Sequence, residues 1–299
     1  MEHINLVVGS KEQAEYFYIE FLGFTPDAGR SFHVNLGQQQ FHLAENGEPA
    51  QKIAGSIGLV VPSLDTLRER IKAAQQVLKD TQFAVLSDDD KNGCITICCP
   101  WGNRIHLYSV NHDLLQSSME TPQKMTNMHA QGGSYGTHRM AIRGNPGIRY
   151  IEISCPIKKS TAIATFYKEM LGCTVMEATV GESAAAVVCV GPGVHLAFIE
   201  NPDFTESDTA AQQGVHVCFY ANDFEGLYKR LSNRNLIWTN PRFVHLDTCD
   251  TWEEAFASRT LRFKDIIDLE TGEKILELEH ETRPLRHGQY LKVPLYQPR

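Results

Sequence analysis

The chain has 299 residues, 42% of them hydrophobic and 21% charged, with a formal net charge of −8. That balance suits a globular protein with room for two domains, and the lack of any Lys/Arg cluster argues against nucleic acid or anionic membrane as partners. No apolar run nears the ~20 residues that span a bilayer, and the opening "MEHINLVVGS" has no basic or long apolar stretch, so a reducing, cytoplasmic setting is expected.

The first strand is predicted at "HINLVV". A helix follows, with Ala14, Phe17, Tyr18, Phe21 and Leu22 on one stripe, Ser10 and Gln13 as a capping box, and Gly23 at the C-terminal cap. The period then switches to two in "RSFHVNLGQQQFHLAE", a hairpin turning near Gly37. "GSIGLVVPSLDTLRERI" (55–71) restarts the pattern, with Leu64, Leu67 and Ile71 on the apolar helix face. The strands "TQFAVLS", "CITICC" and "NRIHLYS" come next, with a hairpin at "PWGN" (100–103). Residues 111–147 break the period, and their Gly, Ser, Pro and Met content reads as a linker or an arm over a cavity mouth.

"YIEISCPIKKSTAIATFYKEMLG" (150–172) then repeats the strand and helix, with Ile163, Phe166, Tyr167, Met170 and Leu171 as the stripe and Ser160 as the cap. A hairpin, "AAAVVCVGPGVHLAFIE", follows. "GVHVCFYANDFEGLYKRL" (214–231) opens a fourth unit on Phe224, Leu227, Tyr228 and Leu231. "PRFVHLD", "LRFKDIID" and "EKILELE" complete it, with a turn at "ETGE" (270–273). "TCDTWEEAFASR" (248–259) reads as a surface insertion, or as a lid, and residues 282–299 as a tail. The eight cysteines contain no CxxC pair and mostly sit in strand-like runs, which predicts buried free thiols instead of a zinc ribbon or disulfide framework.

The chain thus reads as four β-α-β-β-β units in two halves, 1–110 and 148–281. Two of the helices end in FY-x-E-x-LG, and the "PWGN" hairpin runs into "RIHLY". These features resemble the vicinal oxygen chelate superfamily, which includes glyoxalase I, extradiol dioxygenases and bleomycin resistance proteins. The resemblance implies an α+β fold in which paired units curl into two cup-shaped open barrels. It also implies a divalent metal held by the first and last strand of each unit.

Those places hold His3, His42, Ser56 and His106 in the first half, and Tyr150, His195, His216 and Glu277 in the second. Five of the eight are His; with 12 His in 299 residues, eight random places would hold about a third of one. A lone strand His is more often a hydrogen-bonded residue than a ligand, so the clustering carries the point. Glu277 lies five residues after Gly272 whereas His106 lies four after Gly102, so a bulge is needed, and Glu279 shares its face. Two His and one carboxylate suit Fe(II), and also Mn, Ni or Zn, while three neutral His suit Zn or Fe. Tyr150 reads as an outer-shell acid, a phenolate ligand or cup wall. Asn5, Ser56, Glu152 and Tyr220 share faces with the ligand places and are expected to line the cavities.

Three functions remain open. A metal enzyme would act on the vicinal oxygens of a small substrate, with dioxygenase-like cleavage slightly ahead of isomerase or lyase chemistry because few acids remain as bases. A metal-free module would bind a small ligand, and a scaffolding protein would use the linker and tail as arms. A small molecule is the expected partner, and a homodimer is left open.

Overall fold

A computed structural model describes residues 1–29, 32–89, 93–109, 146–191, 193–211 and 213–290. The first unit contains β1 (His3–Val7), a helix from Lys11 to Glu15 that continues as a π-helical turn over Tyr16–Phe21, β2 (Thr25–Pro26), β3 (His33–Leu36) and β4 (Gln39–Ala44). The second has β5 (Gly55–Val61), the helix Leu64–Val77, β6 (Ala84–Asp89), β7 (Cys94–Cys98) and β8 (Arg104–Ser109). The third has β9 (Gly147–Cys155), the helix Ser160–Leu171, β10 (Val175–Val180), β11 (Ser183–Gly191) and β12 (Val194–Glu200). After a short helix at Glu206–Ala211, the fourth has β13 (His216–Ala221), the helices Phe224–Ser232 and Trp252–Ser258, β14 (Leu261–Ile267) and β15 (Lys274–Pro284). No described helix is long and apolar enough to cross a membrane.

The helices form for the reasons their spacing gives. Phe17, Tyr18 and Phe21 are buried in one unit, and Phe166, Tyr167 and Met170 in another, each ring contributing about 2–3 kcal/mol of transfer free energy when fully buried. Ser10 accepts from the Gln13 amide, and Gly172 closes its helix in the left-handed region at φ 67°. Ser160 is not the expected cap. It is the first helical residue, and its amide and hydroxyl both donate to Glu200 Oε1, at 3.0 and 2.7 Å.

The strands pair across the halves. One seven-stranded sheet runs β14-β15-β13-β1-β4-β3-β2, and one eight-stranded sheet runs β10-β11-β12-β9-β5-β8-β7-β6. The first unit therefore shares a sheet with the fourth, and the second with the third, where the expected halves had paired the first with the second and the third with the fourth. The junctions are antiparallel, β1 with β13 and β5 with β9. One contact favouring the second junction is legible in its chemistry. Gly58 faces Tyr150 across it, and a Cβ at Gly58 would lie 2.3 Å from the Tyr150 ring.

Two further expectations change. "PRFVHLD" (241–247) is not a strand; the chain turns there, with Phe243 N donating to Asn240 O and Leu246 N to Phe243 O. Its Asp247 meets the buried Arg262, as described below. β15 also continues through Pro284, past the expected end of the domain at 281. Most of the expected linker, residues 110–145, and the end of the tail, 291–299, lie outside the described residues.

Candidate metal centre

β1 is the middle of the seven-stranded sheet, and its alternation sends His3 and Asn5 to the same face. The registers then decide their neighbours. Asn5 lies opposite His42 on β4 and His216 on β13, and His3 lies opposite Gln40 and Cys218. β13 in turn sets His216 opposite Glu279 and Cys218 opposite Glu281 on β15. Four strands from the two ends of the chain therefore line one cup with polar groups, and His3, Gln40, His216, Glu279 and Glu281 are all buried.

Three ligand atoms converge in this cup. His3, His216 and Glu281 each offer one atom, all within 4.8 Å of one another. His3 Nε2 is 3.7 Å from Glu281 Oε2, and His216 Nε2 is 3.5 Å from it. Ligands about 2.1 Å from one ion sit roughly 3.0–3.4 Å apart, so modest inward movement would complete the shell. His3 Nδ1 lies 3.3 Å from Glu2 Oε1, which marks that nitrogen as an N–H and leaves Nε2 as the atom that would face an ion once it gives up its proton. That Nε2 is buried and has no hydrogen-bond partner. A carboxylate behind a histidine in this way is the usual outer support of a ligating imidazole.

The electrostatics also admit a cation. Around the cup, Glu2, Glu279, Glu281 and Asp247 face Arg262 and Arg283, four carboxylates against two guanidiniums, a formal −2 before the histidines are counted. Burial would raise Glu281, but Arg283 and Arg262 outweigh it and hold its pKa well below the usual range. Burial would lower His3, yet Cys218, Glu2 and Glu281 outweigh it and raise the ring's pKa well above 6.5. In His216 burial prevails over Glu281, and the pKa falls. An ion here would share Glu281 Oε2 with Arg262, whose NH2 group donates to that oxygen at 3.0 Å.

The turn segment that replaces the expected strand roofs this cup. Asn240 donates to both oxygens of Glu279, at 2.9 and 2.8 Å, and Asp247 accepts from Arg262 at 3.0 and 3.1 Å. Phe243 lies edge-on to His216, 5.6 Å between centroids, and under the Arg262 guanidinium at 4.5 Å. The helix inside "TCDTWEEAFASR" packs Trp252 on Phe224 and Tyr228 instead, away from the cup.

Other expected site residues distribute as follows. His42 stacks between His3 and His33, at 3.6 and 3.5 Å, and its Nε2 meets Gln40 Oε1 at 3.0 Å. Burial, then the neighbouring His3 and His33, push its pKa well down. Tyr220 donates from its hydroxyl to Glu2, and the Asn5 Oδ1 is buried without a partner. Glu277 does not join the histidines. It pairs with Lys264 and Lys274, at 3.3 and 2.8 Å, and Glu281, four residues on along the same face, is the carboxylate that lies with His3 and His216.

The other four places share the second sheet. Tyr150 donates to or accepts from Tyr108 through their hydroxyls at 3.0 Å, His106 Nδ1 meets Thr96 Oγ1 at 3.0 Å, and Ser56 donates to Glu152. His195 is buried beside Tyr150 in register. Burial, then the Tyr108 and Glu152 charges, raise the Tyr150 pKa well above 10, so its phenol stays protonated. Among the described residues, no metal-ligating group of three forms here. A cleft of 250 Å³ over the central strands of this sheet is lined by Ser56, Arg104, Glu152 and Ser154 among others.

No protein-family model matches the sequence, and none of the curated proteins does. Solved structures do match. Glyoxalase I from Zea mays aligns over 95% of this chain and 92% of its own, with a TM-score of 0.55 and 13% identity. A candidate dioxygenase from Bacillus subtilis aligns over 100% and 91%, with a TM-score of 0.52 and 13% identity. The chain shares its fold with these two solved structures. At this identity the likeness concerns the backbone, and one fold can host more than one chemistry. The residues facing the cup must therefore supply any functional statement.

Proposed function

We propose that this chain is a divalent-metal-dependent enzyme acting on a small substrate through two adjacent oxygens, with His3, His216 and Glu281 holding the ion. The observation that carries this reading is the convergence of three ligand atoms within 4.8 Å of one another, one of them a buried imidazole nitrogen without a hydrogen bond. Two His and one carboxylate favour Fe(II) among ions that also include Zn, Mn and Ni. Such an ion, when bound, would stabilise charge developing on the substrate oxygens and, as Fe(II), allow O₂-dependent cleavage.

The chain's own groups have separable tasks. Glu2 sets the His3 tautomer, and Arg262 with Arg283 fix the Glu281 carboxylate. Phe243 and Asn240 cover the cup and keep water from its base. His42, a neutral imidazole stacked on His3, is the group placed to take or return a substrate proton. The carboxylates Glu279 and Glu281 are committed to arginines, which leaves no free acid for glyoxalase-type proton abstraction and supports ring or C–C cleavage ahead of isomerisation.

A metal-free ligand-binding cup is the second reading, favoured by one fact: Arg262 and Arg283 already contact both Glu281 oxygens. Anaerobically purified, untagged protein separates the two. Stoichiometric Fe, Mn, Ni, Co or Zn, with oxygen uptake on catechol probes that His216→Ala and Glu281→Gln abolish, supports the enzyme. Protein without bound metal that gains none on reconstitution supports the binder.

A further inference from the structure

We infer that the cup takes a small organic anion, and that Arg242 anchors its carboxylate at the mouth; this rests on the reading of His3, His216 and Glu281 as the reacting centre. A cleft of 520 Å³ lies at the end of β1, lined by Val7, Glu48, Gln51, Gln213, Gly214 and Arg242 among others. Val7 follows His3 and Asn5 on the same strand face, so the cleft lies at the end of the strand face that carries the cup. Its floor is built: Gln51 Oε1 accepts from the Val7 amide at 2.7 Å, and its Nε2 donates to Gln213 O at 2.7 Å.

Arg242 is the cation in this cleft. Among the described residues its guanidinium has no carboxylate partner, although Glu48 lines the same space. It is nonetheless well placed. The Arg242 amide donates to Asn240 Oδ1 at 2.9 Å, and Asn240 is tied to Glu279, so the metal cup itself fixes the turn that carries the arginine. The guanidinium carbon lies 5.4 Å from the Phe243 centroid, and Phe243 lies 5.6 Å from His216. These two steps put the charge within about 11 Å of the His216 ring. Asn5, opposite His216 in register, carries a buried Oδ1 without a hydrogen bond.

Each feature selects for part of a ligand. A planar guanidinium recognises a carboxylate through paired, charge-assisted hydrogen bonds. Asn5 Oδ1 accepts from a hydroxyl or N–H donor. The span suits a molecule whose anionic group is separated by a ring or short chain from its two adjacent oxygens. Neutral analogues lose the first contact and leave the arginine facing water.

The test uses 3-(3,4-dihydroxyphenyl)propanoate and its methyl ester, which share the adjacent oxygens and differ in charge. Both are titrated by calorimetry into metal-loaded and chelator-treated full-length protein, and into Arg242→Gln and Arg242→Lys, with bound metal measured in each. The wild type is expected to prefer the acid at least about tenfold, in both metal states. Arg242→Gln removes the preference by weakening the acid while leaving the ester unchanged, and Arg242→Lys keeps part of it. Equal binding of acid and ester, a preference that survives Arg242→Gln, or no acid binding in either state overturns the anchor. A preference lost only in Arg242→Gln, in protein that binds no metal, upholds the anchor and overturns the metal reading instead.

Discussion

Arg262 joins the roof to the ligand strand, and its replacement by Met tests that role. The guanidinium donates to Asp247 at 3.0 and 3.1 Å, to Glu279 at 2.8 Å and to Glu281 at 3.0 Å, and it is 2% exposed. Removing it leaves Asp247 and Glu279 without their guanidinium, while Arg283 still pairs with Glu281. Breaking a buried ion pair from one side costs about 3–5 kcal/mol. For a chain of this length that corresponds to a drop of roughly 6–10 °C in Tm. Urea unfolding followed by circular dichroism measures it. The partner substitution refines the test: Arg262→Met with Glu279→Met removes opposite charges together and should recover a large part of the loss. A fall below about 1 kcal/mol in Arg262→Met, or no recovery in the double variant, would refute the idea that this network clamps the roof.

Three further outcomes follow from the packing. Gly58→Ala should cost about 2–4 kcal/mol, because its Cβ would meet the Tyr150 ring and displace the hydroxyl from Tyr108; the cost should shrink in a Tyr150→Ala background, and equal costs in both backgrounds would contradict it. Glu200→Ala should destabilise by about 1 kcal/mol by freeing the Ser160 amide and hydroxyl at a helix start; a loss within error on thermal unfolding would count against that cap. Burial, opposed only by a bond to Leu278 O, pushes the buried His280 down to about 3. It stays neutral in the fold while the unfolded chain takes up a proton below about 6.5, so its contribution is intact above 6.5 and is lost as pH falls toward 3, by about 1.4 kcal/mol per unit. Between pH 7.5 and 5 the wild type should thus lose about 2 kcal/mol more than His280→Gln on urea unfolding, and equal losses would refute this assignment.

Much of the cup was legible because strand alternation and an internal repeat are local signals. "FYIEFLG" and "FYKEMLG" marked equivalent helices, and the repeat then placed His3, His42 and His216 at strand positions that the structure brings to one face. Which units would pair was not legible, since all four carry the same pattern and the deciding contacts, such as Gly58 under Tyr150, are single long-range fits. Glu281 was missed for a geometric reason. β14 and β15 form a long hairpin with register shifts between Phe263 and Asp265 and between Ile266 and Ile267, so counting from the Gly272 turn stopped at Glu277, too early along an alternating "ELEHE". The turn at 241–247 defeated its apolar alternation because Asn240 and Asp247 reach buried charges that no local pattern reveals. Glu2, Arg262 and Arg283 escaped notice because charged residues are expected at the surface.

The central claim is that His3, His216 and Glu281 hold one divalent ion, and calorimetric titration of Co(II) into chelator-stripped protein tests it most directly. The account predicts one equivalent per chain, with affinity reduced at least about 100-fold in His3→Ala, His216→Ala and Glu281→Gln and unchanged in Glu277→Gln, His106→Ala and His195→Ala. Absence of stoichiometric binding in the wild type, or a site lost with His106 or His195 and kept without His216, would contradict it.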